Sequence, residues 1–209
     1  MYVEARRQTV RSAAAILLVL VPGSVALADS TPIQVNPNRP TFSTPALTTQ
    51  DGVAELEFGV AHSALDPDDL DSSPFLLKFG LRKRLELRIG GNGLLHATGD
   101  GMKPRTGYGD TTLGAQWTFW PNGPLGIDEA VQVTWKLPTA SSSKGLGSGE
   151  TDVLLMFLLS RDVGAFHIDL NVLANWLGRK TPRFDGGQPA ASISVSRVLQ
   201  GPWTLTGEL

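Results

Sequence analysis

Charged side chains stand at alternate positions in otherwise apolar runs of this chain: Glu55 and Glu57, Lys78, Glu86 and Arg88, Lys136, then His167 and Asp169. Gln116 and Asn171 hold equivalent places in their own runs. Two kinds of chemistry fit that pattern. If the shared face lines water, rings of charge tune which solutes pass and how they are oriented. If it is packed, acids and bases pair across neighbouring strands and fill the space. Spacing alone leaves the two readings level, and it assigns no catalytic residue.

Three other constellations carry less. Gly107-Tyr108-Gly109-Asp110-Thr111 and Gly147-Ser148-Gly149-Glu150-Thr151 look like nucleotide loops. Neither has the P-loop or dinucleotide-binding pattern, and each leads into a strand rather than a helix. They read as repeated loop-to-strand junctions. Asp66, Asp68, Asp69 and Asp71 could offer carboxylates to a divalent cation, but the EF-hand spacing is missing and a solvated acidic loop is the plainer reading. The chain's 3 histidines, His62, His96 and His167, fall in separate segments, so no metal site is expected. No G-x-S-x-G elbow occurs. The chain therefore reads as non-enzymatic and without a cofactor, with an outer-membrane lipid-modifying enzyme kept as an alternative class.

The elements that would position these groups are strands. In residues 74–91, Phe75, Leu77, Phe79 and Leu81 alternate with Leu76, Lys78, Gly80 and Arg82. Alternation resumes after Arg84, with Leu85, Leu87 and Ile89 set against Glu86, Arg88 and Gly90. Period two marks a strand with unlike faces, and the charged break makes a hairpin. The same grammar predicts strands over 53–62, 111–120, 130–137, 152–159, 166–176 and 190–198, and the start of a ninth over 203–209. Residues 63–73 read as an acidic loop, 92–109 as a long glycine-rich loop, and Ser160-Arg161-Asp162 as a turn.

With 209 residues the chain is long enough for one domain with a sizeable core. Its net charge of −2 gives no basic footprint for nucleic acid. Cysteine is absent, which excludes a disulfide framework and thiolate metal sites. Residues 1–28 carry Arg6, Arg7 and Arg11, a short apolar run and Ala26-Leu27-Ala28. That is the layout of a secretory signal peptide; the residues after Arg6-Arg7 fit twin-arginine export poorly. Residues 29–52, rich in Pro, Thr and Asn, read as an extended periplasmic lead-in or partial plug. No later run approaches the roughly 20 apolar residues of a membrane helix.

Connection lengths then choose the class. Long loops follow the first, third, fifth and seventh strands, and shorter turns mostly follow the others. Short turns at one end and long loops at the other characterise an outer-membrane barrel, whose polar interior tolerates charge as a dry sandwich core does not. Trp117, Trp120, Trp135, Trp176 and Trp203 fall near strand ends, where an aromatic girdle belongs. Residues 53–209 are therefore expected to form an all-β, antiparallel, up-and-down transmembrane β-barrel of about nine strands.

The strings RPTFSTPA (39–46), VAELEFGVA (53–61), PFLLKFGLRKRLELRIGG (74–91) and GYGDTTLGAQW (107–117) resemble the MetA-pathway phenol-degradation family of outer-membrane proteins. KLPTASSSKGLGSGETD (136–152) and HIDLNVLANW (167–176) fit the same layout. The resemblance covers essentially the whole chain after residue 28. It implies a porin-like transporter of a Gram-negative bacterium, linked to uptake of small, often aromatic compounds. It supplies no catalytic residues. Barrels of that family normally continue for several more strands and commonly end on an aromatic residue, whereas this chain stops at Leu209 inside its ninth. An incomplete barrel is therefore expected.

The combined expectation is a passive channel for small hydrophobic or aromatic solutes, exported through the periplasm to the outer membrane and surrounded by its lipid. A structural or adhesive barrel with a filled lumen is the alternative. Leu87→Arg is expected to be costly and Glu86→Gln nearly neutral.

Overall fold

The computed structural model describes residues 32–38, 43–65, 68–99, 101–178, 187–199 and 203–209. The signal-peptide reading of residues 1–28, and Asp66 of the acidic cluster, lie outside the described residues. Thirteen strands follow in order: β1 Ala54–Phe58, β2 Ala61–Leu65, β3 Asp68–Ser72, β4 Phe75–Gly80, β5 Leu85–Gly91, β6 Leu94–Gly99 and β7 Met102–Tyr108, then β8 Thr111–Trp120, β9 Asp128–Leu137, β10 Asp152–Val163, β11 Phe166–Trp176, β12 Gly187–Val198 and β13 Thr204–Glu208. All pairings are antiparallel. Nine strands make one sheet, ordered β1-β4-β5-β8-β9-β10-β11-β12-β13, and β2-β3-β6-β7 make a second.

The second sheet corrects the sequence reading. Residues 63–73 and 92–109 are not loops but the hairpins β2–β3 and β6–β7. Each of these strands continues a strand of the large sheet across a break at 59–60, 73–74, 92–93 or 109–110. Side-chain parity runs straight through the first two breaks. It slips by one residue at the other two, where Gly93 adopts φ 61° and its carbonyl accepts the Gly109 N–H at 2.8 Å. Residues 160–162 likewise belong to β10, and the chain turns only at Gly164, with φ 62°.

The nine-stranded sheet is inverted in polarity. Lys78, Glu86, Gln116 and Asn171 are almost fully buried on its inner face, at 1%, 1%, 1% and 0% exposure. Leu87, Trp117 and Val172 stand out on the other, at 44%, 50% and 53%. Register strings the outer residues into rows; one that carries no charge runs Leu56, Leu77, Ile89, Leu113, Trp135, Val153, Trp176. In the four-stranded sheet the ordinary order returns. Leu95 and Ala97 are buried and pack with Ala140 and Leu146 of the β9–β10 loop, while His62, Asp71 and His96 face outward.

Residues 32–38 and 43–50 cover the inner face. Flat, nine strands would measure about 38 Å edge to edge at roughly 4.8 Å per interval. The Asn38 N–H donates to Glu57 on β1 at 3.0 Å, yet the Ser43 N–H, five positions on, donates to Glu208 on β13. Five residues reach about 18 Å at most. The sheet is therefore curled around the segment. β1 and β13 form its two edges, and no pairing joins them among the described residues.

Candidate functional site

The inner face brings together the residues singled out by spacing. At one side Lys78 Nζ meets Glu55 Oε2 and Glu57 Oε1, both at 2.9 Å, and donates to the Asn36 carbonyl. Glu86 and Arg88 pair at 2.9 Å, and Arg88 Nη1 donates to Gln116 Oε1 at 2.7 Å. These six side chains come from β1, β4, β5 and β8, whose register sets Glu55 opposite Lys78 and Lys78 opposite Arg88. Desolvated charges of this kind persist only when paired and hydrogen-bonded.

The N-terminal segment supplies further donors and acceptors. Its N–H groups at Asn36 and Asn38 reach Glu55 and Glu57, and that of Thr49 reaches Glu86 Oε2 at 2.6 Å. Gln116 Nε2 donates to Pro45 O at 3.0 Å, and Thr118 Oγ1 to Ala46 O. Asn171 accepts from the Thr44 N–H at 2.6 Å and donates to its carbonyl at 2.9 Å, imitating a strand partner. Ala46 adds an apolar anchor, packing with Ala130, Met156 and Leu158. The segment is thus held on both rims of the curled sheet and along its middle.

Two predicted residues sit apart from this network. Lys136, partly exposed, pairs with Asp152 at 2.7 Å and more loosely with Asp110 at 3.5 Å, beside the β9–β10 loop. His167 lies at the opposite end, between Asp162 at 2.7 Å and Asp169 at 3.1 Å. Ser160 donates to the same Asp169 oxygen, so a serine, a histidine and two acids do converge. The order is wrong for nucleophilic catalysis. A ring whose two nitrogens both face carboxylates donates from both and keeps no lone pair to accept a serine proton. The Ser160 hydroxyl also accepts the Ala46 N–H at 2.7 Å, which fixes it as a structural link.

Parity also sets Thr118, Ser192 and Glu208 on the polar faces of their strands, and all three meet the N-terminal segment on the inner face; Ser160 was hidden because its polar triplet imitates a turn. Among the described residues no group of three or more His, Cys, Asp or Glu is arranged to hold a metal ion.

On the outer face of the small sheet, His62 Nδ1 lies 2.8 Å from Asp71. The Asp71 hydrogen bond raises the His62 pKa above the ordinary 6.5, slight desolvation opposes it, and the Asp71 and Asp69 charges assist. A raised pKa means that the pair stabilises the hairpin below the unfolded value, and that this contribution fades as pH climbs through the folded one. NMR titration of the His62 ring is expected to show the elevated pKa, with Asp71→Asn lowering it.

Comparison of the chain with family models and with curated proteins yields no match in either.

Proposed function

We propose that this chain is an outer-membrane β-barrel protein whose lumen is stoppered by its own N-terminal segment, residues 32–38 and 43–50, and that it passively admits small hydrophobic or aromatic solutes when that segment withdraws. One observation carries the membrane reading, the inverted polarity of the nine-stranded sheet. Contiguous apolar surface on a water-soluble monomer rarely exceeds a few hundred Å². Here the rows of outward side chains are mostly aliphatic or aromatic across the nine strands, and the outward charges Glu129, Arg161 and Arg197 lie at the tight-turn end. Hydrocarbon solvates such a face, and antiparallel pairing satisfies the backbone of the strands between the β1 and β13 edges.

Other features support the same arrangement. Strands β8 to β12 run 10 to 12 residues, close to the 9–11 that cross a bilayer at a tilt. Trp135 and Trp176 share a row at the end bearing the long β9–β10 loop, while Trp117 and Trp120 lie toward the tight turns, as two interfacial girdles require. The return to ordinary polarity in β2, β3, β6 and β7 suits a sheet standing in water above the bilayer. The solute class comes from the family resemblance alone.

The dense polar network between segment and sheet favours a second reading, a structural barrel whose stopper never leaves. A disulfide separates the two. Ser43 Oγ and Ser192 Oγ are 3.0 Å apart, and the chain has no cysteine of its own. Ser43→Cys with Ser192→Cys, reconstituted in liposomes, is expected to pass a small aromatic solute when reduced and to stop when oxidised. No flux in either state favours the structural barrel; equal flux in both removes the segment as the gate.

A further inference from the structure

At the tight-turn end of the sheet the N-terminal segment doubles back on itself. The Gln34 N–H donates to Gln50 Oε1 at 3.2 Å, and Asn36 Nδ2 donates to the Leu47 carbonyl. Between these two limbs and the β4–β5 turn lies a groove of about 580 Å³, within the usual range for small-molecule sites. Pro32, Val35 and Leu47 give it aliphatic walls, and Thr118 lies at the inner end. Two polar groups in it are left over. Thr49 is 1% exposed, its N–H is spent on Glu86, and its hydroxyl has no partner among the described residues. Arg84, held at φ 61° in the turn, forms no ion pair among the described residues, even though Asp51 also borders the groove.

A buried hydroxyl without a partner costs free energy comparable to a lost hydrogen bond, so this groove is incomplete as it stands. A guanidinium presents paired donors whose geometry matches a carboxylate. Aliphatic walls select an aliphatic body, and the neighbouring Asp51 disfavours more than one negative charge. We infer that the groove binds a small aliphatic monocarboxylate, its chain against Pro32, Val35 and Leu47 and its head shared by Arg84 and the Thr49 hydroxyl. This goes beyond the proposed function, because binding here does not need the lumen to open.

The test uses the chain in lipid nanodiscs, with hexanoate, hexanamide and hexylamine as water-soluble probes followed by saturation-transfer NMR and calorimetry. Hexanoate should bind saturably and hexylamine should not. Arg84→Gln should weaken hexanoate about tenfold, the scale of one charge-assisted hydrogen bond, and leave hexanamide unchanged. Thr49→Val keeps the shape and the backbone bond to Glu86, and should weaken hexanoate and hexanamide alike. Lys83→Gln, in the same turn but not lining the groove, controls for general charge and should change nothing. Absent saturation, equal binding of hexylamine, or equal loss in the Lys83 and Arg84 variants would each overturn the assignment. Hexanoate binding with no solute flux in liposomes would leave it standing and remove only the transport reading.

Discussion

Replacing Lys78 with Met is expected to lower the stability of the folded chain by about 3–5 kcal/mol, the cost of removing one partner from a buried ion pair. Lys78 is 1% exposed and its ammonium serves both Glu55 and Glu57. Met fills most of the same volume but leaves two carboxylates side by side away from water. Glu57 Oε2 already has no partner among the described residues. The Asn36 carbonyl would lose its donor as well. The triple variant Lys78→Met with Glu55→Gln and Glu57→Gln should recover much of the loss, since neutral amides remove the uncompensated charge. Urea unfolding in lipid vesicles measures both. A loss below about 1 kcal/mol, the range of exposed pairs, would mean that these charges are wet and that the N-terminal segment does not seal them.

The same reasoning reverses the expectation for Glu86→Gln. Read from parity alone, Glu86 is one polar residue on a wet face, where an amide serves as well. In the structure it is 1% exposed, balances Arg88 at 2.9 Å and accepts the Thr49 N–H. An amide would leave the guanidinium without its counter-charge, so the substitution is destabilising.

That difference marks how far the sequence could be read. Period-two alternation located the strands of the large sheet because one face is apolar and the other is not, a contrast visible residue by residue. β3 was hidden by its aspartates and β6–β7 by glycines. Their hairpins are specified by pairing and by Leu95 and Ala97 meeting Ala140 and Leu146, some forty positions away, which no local window contains. The covering segment was the least legible part. It has no period, and its partners are set by tertiary geometry: Thr44 meets Asn171 and Ser43 meets Glu208, separated by 127 and 165 positions. Parity could place carboxylates on one face, but it could not say that backbone N–H groups, rather than water, would meet them.

Leu87→Arg tests the opposite face, and here the solvent decides the size of the effect. Leu87 is 44% exposed and lies between Phe79 and Ala115; its row continues through Val133 and Leu155. No charge lies in that row between β4 and β10. In water, an arginine at a half-exposed strand position changes stability by about 0.5 kcal/mol or less. Near the midplane of a bilayer it costs about 2–4 kcal/mol, because the guanidinium must be drawn toward the headgroups or draw water inward. The matched control is Thr134→Ser on the inner face. It keeps the hydroxyl that accepts from Gln132 Nε2 at 3.1 Å, and it should stay within about 0.5 kcal/mol of the parent. Refolding both variants into lipid vesicles, and Val133→Arg beside them, gives the comparison. Two arginine variants that lose about 2–4 kcal/mol while Thr134→Ser loses almost nothing place the apolar face in hydrocarbon. Equal tolerance on the two faces would instead mean that the exposed rows are covered by protein or by water, and the membrane assignment would fall with them.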